Sequence, residues 1–300
     1  MLINLTAPAS ALASKVVAAN ARSEDFEWLP EGMGKRSVRW RHEGRELVLQ
    51  VRPATSFYEP VVEACGAWTA AGVETLPLLA WGSLPDGCSF YVFPFVGWPT
   101  AEETLRSAST QERAWHAERI GRAFARLNTV ATAGFGEFKV ALQGVDSTWF
   151  GFQERRTRQI MATLVERNLV APVLTTSVRA LLRQFEPLLT EVSPRLLYVD
   201  VKLDNVLLEP DGDGLRIVDY DYLLSGDGLW SAGRIAPIYG QSDVTDAMRT
   251  GFLRELGCAD TSVLRLYELL HTLELLTTPV NSPALASRHE RLIRALEAWL

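Results

Sequence analysis

The chain has 300 residues, 47% hydrophobic and 22% charged, enough apolar surface to build a core, which excludes a disordered chain. Thirty lysines and arginines against 36 aspartates and glutamates leave a formal charge of −6, with no basic block. That balance makes the chain a poor candidate for reading a phosphate backbone, so no nucleic-acid partner is expected, and a better one for a cationic small-molecule substrate.

Three cysteines, Cys65, Cys88 and Cys258, are odd in number and widely spaced, which predicts free thiols rather than disulfides or a zinc site. The opening residues resemble a signal peptide only superficially, since polar residues interrupt the apolar stretch and no basic segment precedes it. The longest uncharged stretch, 87–101, contains two prolines and is no membrane span. The expectation is a cytoplasmic protein with no membrane partner.

In chain order, residues 37–40 and 47–52 are β-prone runs around the turn-like His42-Glu43-Gly44-Arg45. A helix is predicted over 58–71, ending at Gly72. Runs 76–81 and 90–96 are short and apolar, as strands are, and Gly97-Trp98-Pro99 breaks the pattern. Ser109 followed by Glu112 forms a capping box, behind which Ile120, Phe124 and Leu127 recur at helical spacing. Further helices are predicted over 149–168, 176–192, 247–256, 262–277 and 284–300, with a strand-rich island at 196–218. The expected organisation is a β-rich lobe, residues 1–96, and a larger helical lobe, 97–300.

The island carries the chemistry. An apolar run ends at Asp200; Lys202 and Asn205 follow; two β-prone runs flank a turn around Gly212; and Asp219 stands at the exit. Pairing symmetrically about Gly212 would set Val206 against Val218 and bring Asn205 and Asp219 to the open end of the hairpin. Two carboxylates and an amide are the hard oxygen donors that Mg²⁺ takes while keeping positions for water and phosphates. Asp200 could orient or deprotonate a hydroxyl, and Lys202 could reach a phosphate. Taken singly, each acid or amide near a turn could equally cap local backbone.

Asp-x-Lys-x-x-Asn-Val-Leu-Leu, followed by Ile-Val-Asp219 and later Gly226-Asp227, resembles the catalytic and metal-binding loops of the aminoglycoside phosphotransferase and choline kinase-like family, within the protein-kinase-like superfamily. The resemblance runs from about Gly32 to Gly233. It implies an α+β, bilobal protein-kinase-like fold: an N-terminal antiparallel β-sheet lobe plus a larger, mainly helical C-terminal lobe, with nucleotide in the cleft between them. It implies Asp200 as catalytic base, Lys202 at the transferred phosphoryl group, and Asn205 and Asp219 as metal ligands for Mg²⁺. In the nucleotide-binding lobe it implies Gln50 at the strand position of the family's lysine, Arg52 as a stand-in cation, Glu63 as the glutamate orienting that cation, and hinge backbone groups of Phe93 and Phe95 facing the base.

The pattern is broken in places. Gln50 has no charge, and Arg52 has a solvated-surface alternative. Glu63 has a helix-dipole alternative, with Pro60 marking that helix's start. The glycine loop keeps only Gly32 and Gly34, with Lys35 and Arg36 beside them. Tyr198 stands where the family usually has histidine, and Ser231 where an aspartate is expected.

The resulting expectation is a kinase that moves the γ-phosphoryl group of ATP or GTP to a hydroxyl of an aminoglycoside-like antibiotic or related metabolite. Asp221, Asp146 and Glu268 are the best acidic candidates for holding a cationic acceptor, with Asp243 and Asp246 behind them. The alternative is a pseudokinase-like protein that binds nucleotide or ligand without transfer.

Overall fold

The computed structural model describes residues 6–18, 26–29, 35–52, 59–73, 75–258, 260–280 and 283–297. The chain divides into two units, Met1–Pro99 with Leu207–Val218, and Thr100–Val206 with Asp219–Leu300.

In the first unit, strands β1 (Phe26–Trp28), β2 (Arg36–His42), β3 (Arg45–Arg52), β4 (Ala80–Ser83) and β5 (Ser89–Pro94) form one antiparallel sheet in the order β1-β2-β3-β5-β4. The β2–β3 turn is tight because Glu43 and Gly44 both adopt positive φ, 46° and 76°. Alternation along β3 buries Leu47, Leu49 and Val51 on one face and leaves Gln50 and Arg52 on the other. Helix α1 (Thr6–Ala18) covers the buried face through Ala9, Leu12, Ala13 and Val16. The sequence reading did not predict this helix. Its apolar stripe is built mainly of small residues, whose weak periodicity is easily taken for a leader.

Helix α2 (Glu59–Ala70) occupies the predicted span, and Gly72 at φ 70° ends it while Val73 N–H reaches back to Trp68 O. Strands β9 (Val206–Leu208) and β10 (Leu215–Ile217) form the expected hairpin. Glu209 N–H donates to Gly214 O at 3.0 Å, so the loop closes across these two residues and is not centred on Gly212. The expected opposition of Val206 and Val218 therefore does not arise from symmetric pairing.

In the second unit a four-stranded sheet runs β7-β6-β11-β8, from β6 (Phe135–Val140), β7 (Gln143–Asp146), β8 (Arg195–Tyr198) and β11 (Leu223–Gly226). Only β8 lay in a predicted strand region, because the others are short and contain glycines. Around the sheet lie α3 (Ala101–Ser107), α4 (Thr110–Leu127), α5 (Trp149–Glu166), α6 (Val173–Gln184), α7 (Glu186–Thr190), α8 (Ala232–Tyr239), α9 (Asp243–Leu256), α10 (Leu264–Leu276) and α11 (Pro283–Glu297). The single helix predicted over 176–192 is two, broken at Phe185 ahead of Pro187, which has no N–H to continue the ladder. Helix α8 was not predicted, since Gly233 and Pro237 disguise it. The core gathers Trp149, Phe152, Leu197, Val199, Leu224, Trp230 and Tyr267.

The three cysteines are free, and burial pushes the Cys65 thiol up to about 12. Among the described residues, no helix is long and apolar enough to cross a membrane. Trp68, Trp149 and Trp230 are core residues with no exposed ring for stacking a sugar.

Candidate active site

Strand β8 pairs antiparallel with β11, Tyr198 opposite Leu223, and Val199 N–H extends the pairing to Tyr222 O. The chain then leaves the sheet at Asp200. Lys202 N–H donates to Asp200 O at 2.7 Å, and residues Leu203–Asn205 make one 3-10 turn. This winding returns Asn205 to Asp200: its Nδ2 donates to Asp200 O at 3.0 Å and to Asp200 Oδ2 at 2.9 Å. Lys202 Nζ reaches the same Oδ2 at 3.0 Å. The carboxylate is thus fixed by two donors on one oxygen, and a charge-assisted pair of this kind is stronger than a neutral hydrogen bond. From behind, Leu203 N–H donates to the Tyr239 hydroxyl at 2.6 Å, which anchors the loop to α8.

Tyr198 is fully buried, and Asp200, Asn205 and Asp219 all act on its hydroxyl. Burial raises its phenol well above the usual tyrosine value, and the carboxylates of Asp200 and then Asp219 raise it further, while a hydrogen bond to Asn205 opposes them. The residue that replaces the family's usual histidine therefore stays protonated beside the three candidate groups. Its ring stacks on Phe124 at 5.6 Å and meets Tyr220 edge-on at 6.4 Å.

Asp219 has φ 66°, a left-handed conformation that aspartate tolerates better than most side chains. Such strain, of order 1–3 kcal/mol, persists only where the surroundings hold it. The oxygen donors present suit a hard cation. Asn205 turns its nitrogen onto Asp200, which directs its carbonyl oxygen elsewhere, and Asp219 adds a carboxylate.

The backbone of Tyr198 is held twice. Its N–H donates to Asn128 Oδ1 at 2.9 Å, and its carbonyl accepts the Ser231 hydroxyl at 2.7 Å. Asn128 Nδ2 closes the circuit on Ser231 Oγ at 2.9 Å. Sequence reasoning missed Asn128; its signal is its place directly after the amphipathic helix α4. Gly226 and Asp227 are structural: a Cβ at Gly226 would strike the Trp149 ring at 2.2 Å, and Asp227 Oδ2 accepts from Tyr267 at 2.6 Å.

Two of the acids expected to receive a cationic acceptor are engaged by arginines. Asp146 is bound by Arg155 at 2.7 Å, which Glu137 also pairs at 2.7 Å. Glu268 is bound by Arg249 at 2.8 Å. Asp221 is exposed, and Asp243 and Asp246 lie in the first turn of α9, where their charge complements the helix dipole.

In the first unit Arg52 is only 6% exposed, with its guanidinium over the Tyr91 ring at 5.0 Å, so the surface alternative is wrong. Gln50 pairs with Tyr91 across β3–β5. Glu63 is exposed in the second turn of α2, and among the described residues no hydrogen bond or ion pair joins it to Gln50 or Arg52. Its second-turn position also removes the first-turn dipole reading. Phe93 pairs with Val48, and Phe95 N–H donates to Glu46 O at 2.9 Å. Successive strand amides face opposite edges, so the amides of Phe93 and Phe95 both face β3, contrary to the expectation that they face a base. Gly32 and Gly34 lie outside the described residues. Arg36 donates to Val16 O at 3.1 Å, where it ties α1 to the sheet.

A model of the phosphotransferase enzyme family matches residues 25–267. No curated protein matches. Among solved structures, the chain is similar to a thermostable mutant of the aminoglycoside phosphotransferase APH(4)-Ia in ternary complex with AMP-PNP and hygromycin B, at 18% identity and TM-score 0.65, over 95% of this chain and 98% of that one. It is similar to a candidate aminoglycoside phosphotransferase of Ralstonia eutropha JMP134, at 14% identity and TM-score 0.67, over 96% and 95%. A candidate fructosamine-3-kinase of Haemophilus somnus 129PT matches at 11% identity and TM-score 0.63, over 95% of each chain. At these identities the likeness speaks to the fold, which is the kinase-like fold of the aminoglycoside phosphotransferases.

Proposed function

Because the chain belongs to the phosphotransferase enzyme family, we propose that it is a small-molecule kinase. In this reading it moves the γ-phosphoryl group of ATP or GTP to a hydroxyl of an aminoglycoside-like antibiotic or a related hydroxylated metabolite. The observation that supports the reading is the winding of the loop, which returns Asn205 Nδ2 to Asp200 Oδ2 at 2.9 Å and sets Lys202 Nζ on the same oxygen at 3.0 Å.

Asp200 accepts the proton of the attacking hydroxyl. Lys202 and Asn205 both hold Oδ2, which leaves Oδ1 as the oxygen that meets the acceptor. The same two donors fix the carboxylate's orientation before substrate arrives, so little reorganisation accompanies transfer. Lys202 offers positive charge at the departing phosphoryl group. Asn205 and Asp219 are the residues that would hold Mg²⁺, which would supply positive charge against the nucleotide phosphates.

For the nucleotide, Arg52 is the strand cation in place of lysine, sharing a face of β3 with Gln50. The hinge groups facing the base are the Pro94 carbonyl and the Val96 N–H, since the Phe95 amide is engaged by Glu46. The alternative of binding without transfer draws on the missing lysine at position 50 together with Tyr198 and Ser231.

Thermal unfolding with ATP or GTP, with and without Mg²⁺, tests the reading without an acceptor. A ligand that binds only the native state raises its stability by mass action. A Mg²⁺-dependent rise in wild type that is lost in Asp219→Asn is the expected result. No rise at millimolar nucleotide in folded protein would sink the kinase reading.

A further inference from the structure

Helix α8 touches the catalytic loop through Tyr239 and carries Arg234 in its first turn. Arg234 is 7% exposed. Its guanidinium lies 3.2 Å from Glu274 Oε1 and 3.3 Å from His271 Nδ1. Glu274 Oε1 is already shared, by Arg156 at 2.9 Å and by the Tyr222 hydroxyl at 2.9 Å. Helix α11 adds two more guanidiniums. Arg291 donates to Ile238 O at 2.7 Å, which satisfies a donor without adding negative charge. Arg288 is half-buried, and among the described residues no carboxylate pairs with it. Burial, then the charges of Arg234 and Arg291, push it below the ordinary arginine value. The Nε atoms of Arg234 and Arg288 are buried with no acceptor among the described residues.

Glu274 therefore faces both Arg156 and Arg234, Glu137 adds a second carboxylate 3.8 Å from Arg156 only, and among the described residues neither Arg288 nor Arg291 has a carboxylate of its own. Burying like charges together with unmatched donors opposes folding unless something supplies the counter-charge. Guanidinium forks match carboxylate and phosphate oxygens in pairs. We propose that Arg234, Arg288 and Arg291 form a binding site for the carboxylate or phosphate group of a small ligand. The cluster has the opposite charge to that expected for a polycation. The ligand is either the acceptor itself, which rests on the kinase reading above, or a separate small anion, which does not.

The probe is inorganic phosphate, compared with chloride at equal ionic strength in thermal unfolding without nucleotide. Wild type is expected to gain stability saturably. Arg288→Gln is expected to unfold no earlier than wild type in chloride, because a like charge is removed, and to bind phosphate at least five-fold more weakly. Arg291→Gln serves if Arg288→Gln does not fold. No saturable gain in wild type, or an equal gain in both proteins, overturns the site; the latter assigns phosphate to the nucleotide region. Mg²⁺-nucleotide shifts in the same two proteins test the kinase reading separately, so either conclusion can fail alone. In a screen of matched hydroxylated compounds with and without an anionic group, preference for the anionic members with competition by phosphate identifies the acceptor as the source. A phosphate effect without competition identifies a separate anion.

Discussion

The Ser231 hydroxyl donates to the carbonyl of Tyr198 at 2.7 Å, two residues before Asp200. Ser231 stands where the family has an aspartate, and it is fully buried. Asn128 Oδ1 accepts the Tyr198 N–H at 2.9 Å, a contact the Ser231 hydroxyl does not make. Serine and asparagine together thus hold both backbone groups of one residue.

Ser231→Ala leaves the Tyr198 carbonyl and one Asn128 donor with fewer partners, at about 1–3 kcal/mol. Asn128→Ala is expected to cost at least as much, because it removes three hydrogen bonds. Denaturant unfolding gives the stability change. Under conditions where both variants stay folded, a loosened loop lowers kcat more than it raises KM for nucleotide. Unchanged kcat in both would show that this circuit does not position Asp200.

Asp219 combines a carboxylate with a left-handed backbone, φ 66°. Asp219→Asn keeps a side chain that tolerates that conformation, so stability changes by less than about 1 kcal/mol while the Mg²⁺-dependent nucleotide shift disappears. Asp219→Ala has no such tolerance and is expected to unfold earlier than Asp219→Asn. Equal stability of the two would remove the argument from strain.

His271 is fully buried and its imidazole is held down to about 4, first by burial and then by the nearby Arg234, although Glu274 opposes this. A histidine depressed in the native state binds its proton more readily when unfolded, so stability present above about pH 6.5 falls as pH drops toward 4. Between pH 7.5 and pH 5 the loss from this one group is about 2 kcal/mol. Denaturant midpoints across that range in wild type and His271→Gln check it: the variant's profile is expected to be flatter.

Gly121 on α4 and Gly251 on α9 allow a close helix crossing. A Cβ at Gly121 would lie 1.9 Å from Met248 O, and one at Gly251 would lie 2.0 Å from Glu118 O. Both obstacles are backbone, so the helices themselves must separate. Gly121→Ala or Gly251→Ala is expected to destabilise by about 2 kcal/mol or more, against the slight gain alanine brings at an open helical site. Thermal or denaturant unfolding measures it, and a neutral result would mean the helices can part without cost.

The candidate catalytic loop was legible because its signals are local. Asp200, Lys202, Asn205 and Asp219 lie at fixed spacing along one island, and a short run of chain can return Asn205 to Asp200 through a single 3-10 turn. Capping boxes such as Ser109 with Glu112 were equally readable, since both partners lie within one turn. Sequence by itself determined the family's chemistry, the long amphipathic helices and the free cysteines. Tertiary structure decided what depends on partners far along the chain. The Asn128–Ser231 circuit spans 103 residues, and Arg155 on α5 reaches Glu137 on β6. Which acids are neutralised, which edge the Phe95 amide faces and where unmatched arginines collect follow from packing, because charge and hydrogen bonding act through space and no local periodicity records them.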